Sequence, residues 1–122
     1  MAEPAPVTLS DVVHRAVVIA DPDGSEGLDD LLERFEDDDE PLAATSAEIA
    51  GQRIAEVVGA LDPQEEDPAV QMAGALATYL VFRRDEVDGE PAALLVRAAR
   101  AEFEGDPPEP VRDWLAERGV AP

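Results

Sequence analysis

The chain has 122 residues, of which 45% are hydrophobic and 4% aromatic, and it contains no cysteine. This composition suits one domain with a core of small aliphatic residues, and it excludes disulfides and thiolate metal sites. The chain contains 29 acidic residues and only nine basic ones, so its formal net charge is −20. Such a charge disfavours direct binding to nucleic-acid phosphates.

We interpret residues 1–122 as a single acidic helical domain, with a disordered leader over 1–6 and a folded part over 7–122. The N-terminus has neither the basic nor the apolar region of a signal peptide, so we expect a cytoplasmic protein. The apolar stretch over 69–82 is shorter than the roughly 20 residues that span a bilayer, and no membrane contact is expected.

A capping pair opens the first predicted helix. Thr8 is followed three residues later by Asp11, which is typical of a helix N-terminus and predicts a helix over 9–20. The β-branched run over 17–19 weakens this prediction, and residues 16–20 could instead form a strand. The turn formers that follow, over 21–25, interrupt regular structure.

The second predicted helix covers about 26–37. Its apolar side chains recur at the spacing of one buried helix face: Leu28, Leu31, Leu32 and Phe35. The acidic run Asp37, Asp38, Asp39 and Glu40 ends it, because negative charge is unfavourable at a helix C-terminus and a proline follows.

Capping residues and prolines delimit the helices that follow. Thr45 or Ser46 caps the third helix, which runs to about residue 61. Gly51 and Gly59 lie inside it and each costs about 1 kcal/mol relative to Ala, so we expect both to mark close approach of a neighbour. Asp67 precedes a proline at the start of the fourth helix, over about 68–84.

The fourth helix is apolar on nearly every side, which is typical of the central element of a bundle. A fifth helix is predicted over about 91–104, and a short last helix docks through the apolar residues Val111, Trp114 and Leu115. The predicted fold class is therefore all-α, a compact antiparallel bundle of five to six short helices.

Two pairs of carboxylates have the spacing of a metal site. Glu33 with Glu36, and Asp85 with Asp88, resemble the Glu-x-x-Glu and Glu-x-x-Asp pairs that hold Mg²⁺ in all-α nucleotide pyrophosphohydrolases. The resemblance implies a divalent-metal-dependent enzyme. The alternative is chance, since about a quarter of the residues are acidic and there is no lysine to contact a phosphate. We assign no catalytic residue and no cofactor.

The single histidine, His14, excludes a multi-histidine metal site within one chain, and its valine neighbours predict a partly buried position. The basic residues concentrate at Arg83, Arg84, Arg97 and Arg100, where a turn can bring two pairs together. They either pair with nearby carboxylates or dock an anionic partner. Trp114 either packs on the core and holds the last helix in place, or is exposed and contacts a partner protein.

These features favour a non-catalytic protein-interaction module, in which an acidic surface recognises a basic or apolar patch on another protein. It could be an adaptor, an accessory subunit or an inhibitor that imitates nucleic acid. The interaction candidates are Asp37, Asp38, Asp39, Glu40, Arg83, Arg84 and Trp114. The alternatives are the metal-dependent enzyme and a salt-adapted structural protein that associates with itself, for which a homodimer is possible. We also expect the melting temperature to rise with added salt.

Overall fold

The most apolar helix of the chain lies at the centre of the fold. The computed structural model describes residues 8–24, 26–37, 41, 45–64, 66–83 and 90–120, and all helices and contacts given below lie within them. Their helices are α1 (Leu9–Ala20), α2 (Asp29–Phe35), α3 (Ala47–Leu61), α4 (Pro68–Phe82), α5 (Pro91–Phe103) and α6 (Glu109–Glu117). The central helix α4 packs against α1, α3, α5 and α6. The all-α prediction and the central position of the apolar helix are confirmed.

Residues 16–20 belong to α1 and are not a strand. The predicted capping box is present: the Thr8 hydroxyl accepts the Asp11 backbone N–H at 3.1 Å, and the Asp11 carboxylate accepts the Thr8 N–H at 3.0 Å. Val12, Val13 and Val17 are buried in the core. Burial of one such side chain stabilises the fold by about 1.5–3 kcal/mol, which outweighs the weaker helix propensity of β-branched residues.

Helix α2 is shorter than the predicted 26–37, because its first residues serve a turn. Gly27 has a φ of 70°, a left-handed conformation that a regular helix excludes. The Glu26 N–H donates to the buried carboxylate of Asp21 at 3.0 Å, so this end of the segment is tied to the end of α1. At the other end, the Glu36 N–H bonds to the Glu33 carbonyl, a tightened last turn.

The junction between α3 and α4 is organised by one buried carboxylate. Asp62 accepts the backbone N–H groups of Glu66 and Asp67, each at 2.9 Å, and the Gln71 side-chain amide at 2.9 Å. Burial raises the pKa of Asp62, but the hydrogen bonds from Gln71, Asp67 and Glu66 outweigh burial and lower the pKa below its ordinary value. The Asp67 carboxylate in turn caps α4 by accepting the N–H groups of Ala69 and Val70. Asp62 thereby fixes the start of α4 against the end of α3.

Side-chain size sets how closely α3 and α4 pack. A Cβ atom added to Gly74 would lie 2.6 Å from Val58 Cγ2, so alanine fits at this crossing only if the Val58 side chain shifts. The absence of a side chain at Gly74 thus lets the two helices approach closely. The expectation for Gly59 is wrong, since no described atom lies within 4 Å of the position of its Cβ.

The last helix docks on the body, as predicted. Trp114 is 4% exposed, and Val111 and Leu115 are also buried. Gly119, at φ 72°, ends α6 in a Schellman motif in which the Val120 N–H donates to the Leu115 carbonyl at 2.9 Å. Among the described helices, none is both long enough and apolar enough to cross a membrane.

Candidate functional site

A surface groove runs along α4 between α3 and α5; we call it the α4 groove. Its larger section, about 370 Å³, is lined by α3, α4, Glu102 of α5 and the α3–α4 junction. A second section of about 300 Å³ lies between α4 and α5. Both sections are lined by Ala75, Thr78 and Glu102, so they form one continuous depression.

The α4 side of the groove is a single helix face. Gln71, Ala75, Thr78 and Phe82 line it, and their spacing of four, three and four residues places them one above another. The other faces of α4 are covered by the helices packed around it. The groove therefore follows the side of the central helix that the described helices cover least, although Ala75 on this side is only 4% exposed.

Small residues form a strip on the α3 side of the groove, beside the larger Ile54 and Val58. Gly51, Ala55 and Gly59 line it at intervals of four residues, so they also share one helix face. The space that a side chain at Gly59 would fill is open. A glycine inside a helix costs about 1 kcal/mol relative to alanine, and nothing packed within the described chain offsets that cost at Gly59. Gly59 therefore marks the open groove, whereas a Cβ at Gly51 would lie in ordinary contact with Phe82 and Thr78 of α4.

Two large apolar side chains are exposed where α3 begins and α4 ends. Phe82, in the groove lining, is 55% exposed, and Ile49, on the first turn of α3, is also 55% exposed. The Phe82 ring is still close to α3, with its Cε2 atom 3.5 Å from the position of a Cβ on Gly51. Phe82 thus places half of an aromatic side chain in solvent beside the groove.

Three arginines surround a depression at the Phe82 end of the groove; we call them the arginine cluster. Arg83 at the end of α4 faces Arg97 and Arg100 of α5 across a space of about 510 Å³, also lined by Tyr79 and Ala101. The structure thus brings together three of the four arginines selected from the sequence, and Arg84 lies outside the described residues. No ion pair joins the cluster to a carboxylate of the described residues.

The first carboxylate pair lies elsewhere, between α1 and α2. Glu33 and Glu36 line a shallow depression with Ser10, His14, Asp29 and Leu32. Asp85 and Asp88 lie outside the described residues, and no group of three His, Asp or Glu residues in the described part is arranged to hold a metal ion. His14 is exposed and not partly buried as predicted, because it shares the solvent-facing side of α1 with Val18, which is 50% exposed, whereas Val13 faces the core.

The remaining candidates differ in their surroundings. Asp37 is exposed in the turn after α2, whereas Asp38, Asp39 and Glu40 lie outside the described residues. Trp114 belongs to the core, and one face of its ring is covered by the guanidinium of Arg118, whose carbon lies 3.6 Å from the ring centroid. Of the predicted candidates, Asp37 and Arg83 therefore lie on the described surface, and Trp114 does not.

The groove itself was missed in the sequence. The signal that pointed to it was Gly59 in the third helix, and the open space beside this glycine became visible only in three dimensions. Phe82 gave no signal, because it continues the apolar run of α4. Comparisons with protein-family models, curated proteins and solved structures find no match to this chain.

Proposed function

We propose that the chain is a non-catalytic protein-interaction module that binds an amphipathic helix of a partner protein in the α4 groove. The observation that supports this most strongly is the open face of α4, where the central apolar helix lines a surface groove that ends at the exposed ring of Phe82. Amphipathic helices bind grooves of this kind through apolar side chains spaced three and four residues apart.

The small residues of the groove suit a helix as the occupant. Packed helices lie about 8–10 Å apart, and the shorter distances require small side chains at the contact. Gly51, Ala55 and Gly59 provide such a strip on α3, and Ala75 with Thr78 provide it on α4. The bound helix would complete the packing around α4, and its apolar side chains would cover Phe82.

The charges of the chain indicate which residues the partner helix carries and in which direction it lies in the groove. Because the chain carries a net charge of −20, a helix with basic residues on its solvent-facing flanks is attracted and an acidic helix is repelled. Asp62 lines one end of the groove and the arginine cluster adjoins the other. Since a helix is positive at its N-terminus, we propose that the N-terminus of the partner helix lies near Asp62.

The chain contains no cysteine, so one introduced thiol can report which surface meets a partner. We would replace Ala55 by cysteine, attach a photoactivatable crosslinker, and irradiate the protein in lysate of its own cells. Ala116→Cys is the control, because Ala116 is exposed on α6 and does not line the groove. The proposal predicts that Ala55→Cys crosslinks to one protein, through an amphipathic helix of that protein. The Ala116→Cys variant should not crosslink to it.

Other outcomes would overturn this assignment. The same proteins captured equally at both positions would show that the groove is not a selective surface. A crosslink between two copies of the chain would assign the groove to self-association, as in the structural alternative. Irradiated samples that contain only uncrosslinked protein would exclude a stable partner in the groove.

A further inference from the structure

The arginine cluster is an electrostatic exception in this chain. Acidic residues outnumber basic ones by 29 to nine, so a typical arginine has carboxylates close by. Arg112 follows this pattern by pairing with Asp106 at 2.6 Å, and Arg118 pairs with Glu26. Arg83, Arg97 and Arg100 instead face one another across a single depression, with no ion pair to a described carboxylate.

This arrangement has a cost that a bound anion would relieve. Arg97 and Arg100 are three residues apart on α5, a spacing at which like charges destabilise a helix. Arg83 adds a third positive charge from the end of α4. Among the described residues no carboxylate forms an ion pair with the cluster, although Glu102 lines the groove section next to Arg83.

The geometry of the depression suits an oxyanion carried on a larger group. Guanidinium groups bind phosphate and carboxylate oxygens through paired N–H donors. The Arg83 guanidinium lies 5.4 Å from the centre of the Tyr79 ring, and this cation–π contact restrains it beside the depression. The depression is open to solvent, and its volume of about 510 Å³ leaves room for the oxyanion and part of the group that bears it.

The charge of the whole chain restricts the ligand further. A polyanion such as nucleic acid would extend beyond the cluster and meet the negative remainder of the surface. A single phosphate group carries about −1.5 to −2 charges, enough to engage several arginines while staying inside the depression. At physiological salt the Debye length is about 8 Å, so the more distant carboxylates repel it weakly.

We propose that Arg83, Arg97 and Arg100, with Tyr79, form a binding site for one phosphate group. The group belongs either to a phosphorylated side chain of a protein or to a phosphorylated small molecule. This site stands whether or not the α4 groove binds a helix, because it depends on different side chains.

Inorganic phosphate is the first probe, titrated at constant ionic strength against sodium chloride into protein labelled with ¹⁵N. We expect the side-chain Nε–H signals of the three cluster arginines to shift and saturate, while those of Arg34 and Arg112 stay in place. The Arg97→Gln and Arg100→Gln double variant should weaken binding about tenfold or more. The Arg34→Gln and Arg112→Gln double variant removes the same charge elsewhere and should bind as the unaltered chain does.

The arginines replaced in both double variants are exposed, so we expect both variants to fold. Circular dichroism checks that their helix content is unchanged. Shifts spread over all arginines, shifts that never saturate, or equal binding by the two double variants would overturn the site. A comparison of a phosphoserine peptide with glycerol phosphate then assigns the source. Tighter binding of the peptide indicates a phosphorylated protein, and tighter binding of glycerol phosphate indicates a small molecule.

Discussion

Arg118 lies flat against Trp114, with its guanidinium carbon 3.6 Å from the centre of the indole ring. The same guanidinium forms an ion pair with Glu26, 92 residues earlier in the chain, and donates to the Trp114 carbonyl at 3.2 Å. Glu26 is bound through its own N–H to Asp21 at the end of α1. One arginine therefore joins the last helix to the loop between the first two.

Trp114 is only 4% exposed, so its indole N–H is buried. No described residue accepts a hydrogen bond from this N–H. An unpaired buried donor costs about 1–3 kcal/mol. We therefore expect Trp114→Phe to lower the free energy of unfolding only slightly, because removing the donor offsets the lost packing. Trp114→Ala should lower it by about 3–5 kcal/mol. Urea unfolding followed by circular dichroism measures both values, and equal losses would contradict this account.

Two glycines in neighbouring helices should respond to alanine in opposite directions. Gly59→Ala should raise the free energy of unfolding by about 0.5–1 kcal/mol, since the space is open and alanine favours the helix. Gly74→Ala should lower it by about 1–3 kcal/mol, because its Cβ would meet Val58. Thermal and urea unfolding of both variants test this. A stabilising Gly74→Ala would show that α3 and α4 are not closely packed at this position.

Asp62 should contribute a pH-dependent part of the stability. Its pKa in the folded chain is lowered by three hydrogen bonds despite burial, so the folded state favours the carboxylate. This contribution is complete above the pKa of an unfolded aspartate, about 4, and is lost as the pH falls through the lower folded pKa. Asp62→Asn should cost about 1.5–3 kcal/mol at pH 7.

The measurement is the difference in unfolding free energy between the chain and Asp62→Asn as a function of pH. Taking the difference removes the effect of the other carboxylates, whose protonation also relieves repulsion. This difference in unfolding free energy should be constant from about pH 7 to 5 and should become smaller below about pH 4. A gap that widens on acidification would mean that the pKa of Asp62 is raised in the folded state.

Salt should stabilise the folded chain, because its net charge of −20 produces repulsion between carboxylates that salt screens. The Debye length is about 30 Å at 0.01 M salt and about 8 Å at 0.15 M. We expect the melting temperature to rise between these concentrations. Replacing Asp37, Asp38 and Asp39 by asparagine should flatten the rise. A melting temperature that is the same at both concentrations would show that the charge does not weaken the fold.

Divalent metal tests the pyrophosphohydrolase-like alternative through Glu33 and Glu36, the half of its carboxylate set that lies in the described residues. We expect millimolar Mg²⁺ or Mn²⁺ to shift the melting temperature no more than NaCl of equal ionic strength does, allowing for general screening. The double variant Glu33→Ala and Glu36→Ala is the control. A shift of several degrees that this variant abolishes would instead support the pyrophosphohydrolase-like enzyme.

Helix positions followed from the sequence because their signals are local. The Thr8 and Ser46 caps, and Pro68 and Pro91 at helix starts, act within one turn of the backbone. Helix α2 was predicted too long because its apolar face continues through Leu28, while the left-handed Gly27 and the distant ion pair of Glu26 set its start. Gly27 is a local sign within residues 26–37, whereas the partner of Glu26 lies at Arg118 and no local pattern indicates it.

The functional surfaces depend on how helices pack, which periodicity does not specify. The arginine cluster was foreseeable in part, since a short connection places Arg83 near α5. The α4 groove was not, because an apolar α4 predicts burial on every side and does not indicate which side stays open. Gly59 was the one local sign, and its meaning depended on finding empty space beside it.

The central claim is that a partner helix lies against α3 in the α4 groove, and a pair of matched substitutions tests it most directly. Ala55 lines the groove, whereas Ala60 is exposed on the same helix outside it. With the partner captured by crosslinking, we expect Ala55→Gln to weaken its affinity about tenfold or more, and Ala60→Gln to leave it unchanged. Equal affinity of the two variants for the partner would contradict binding in the groove.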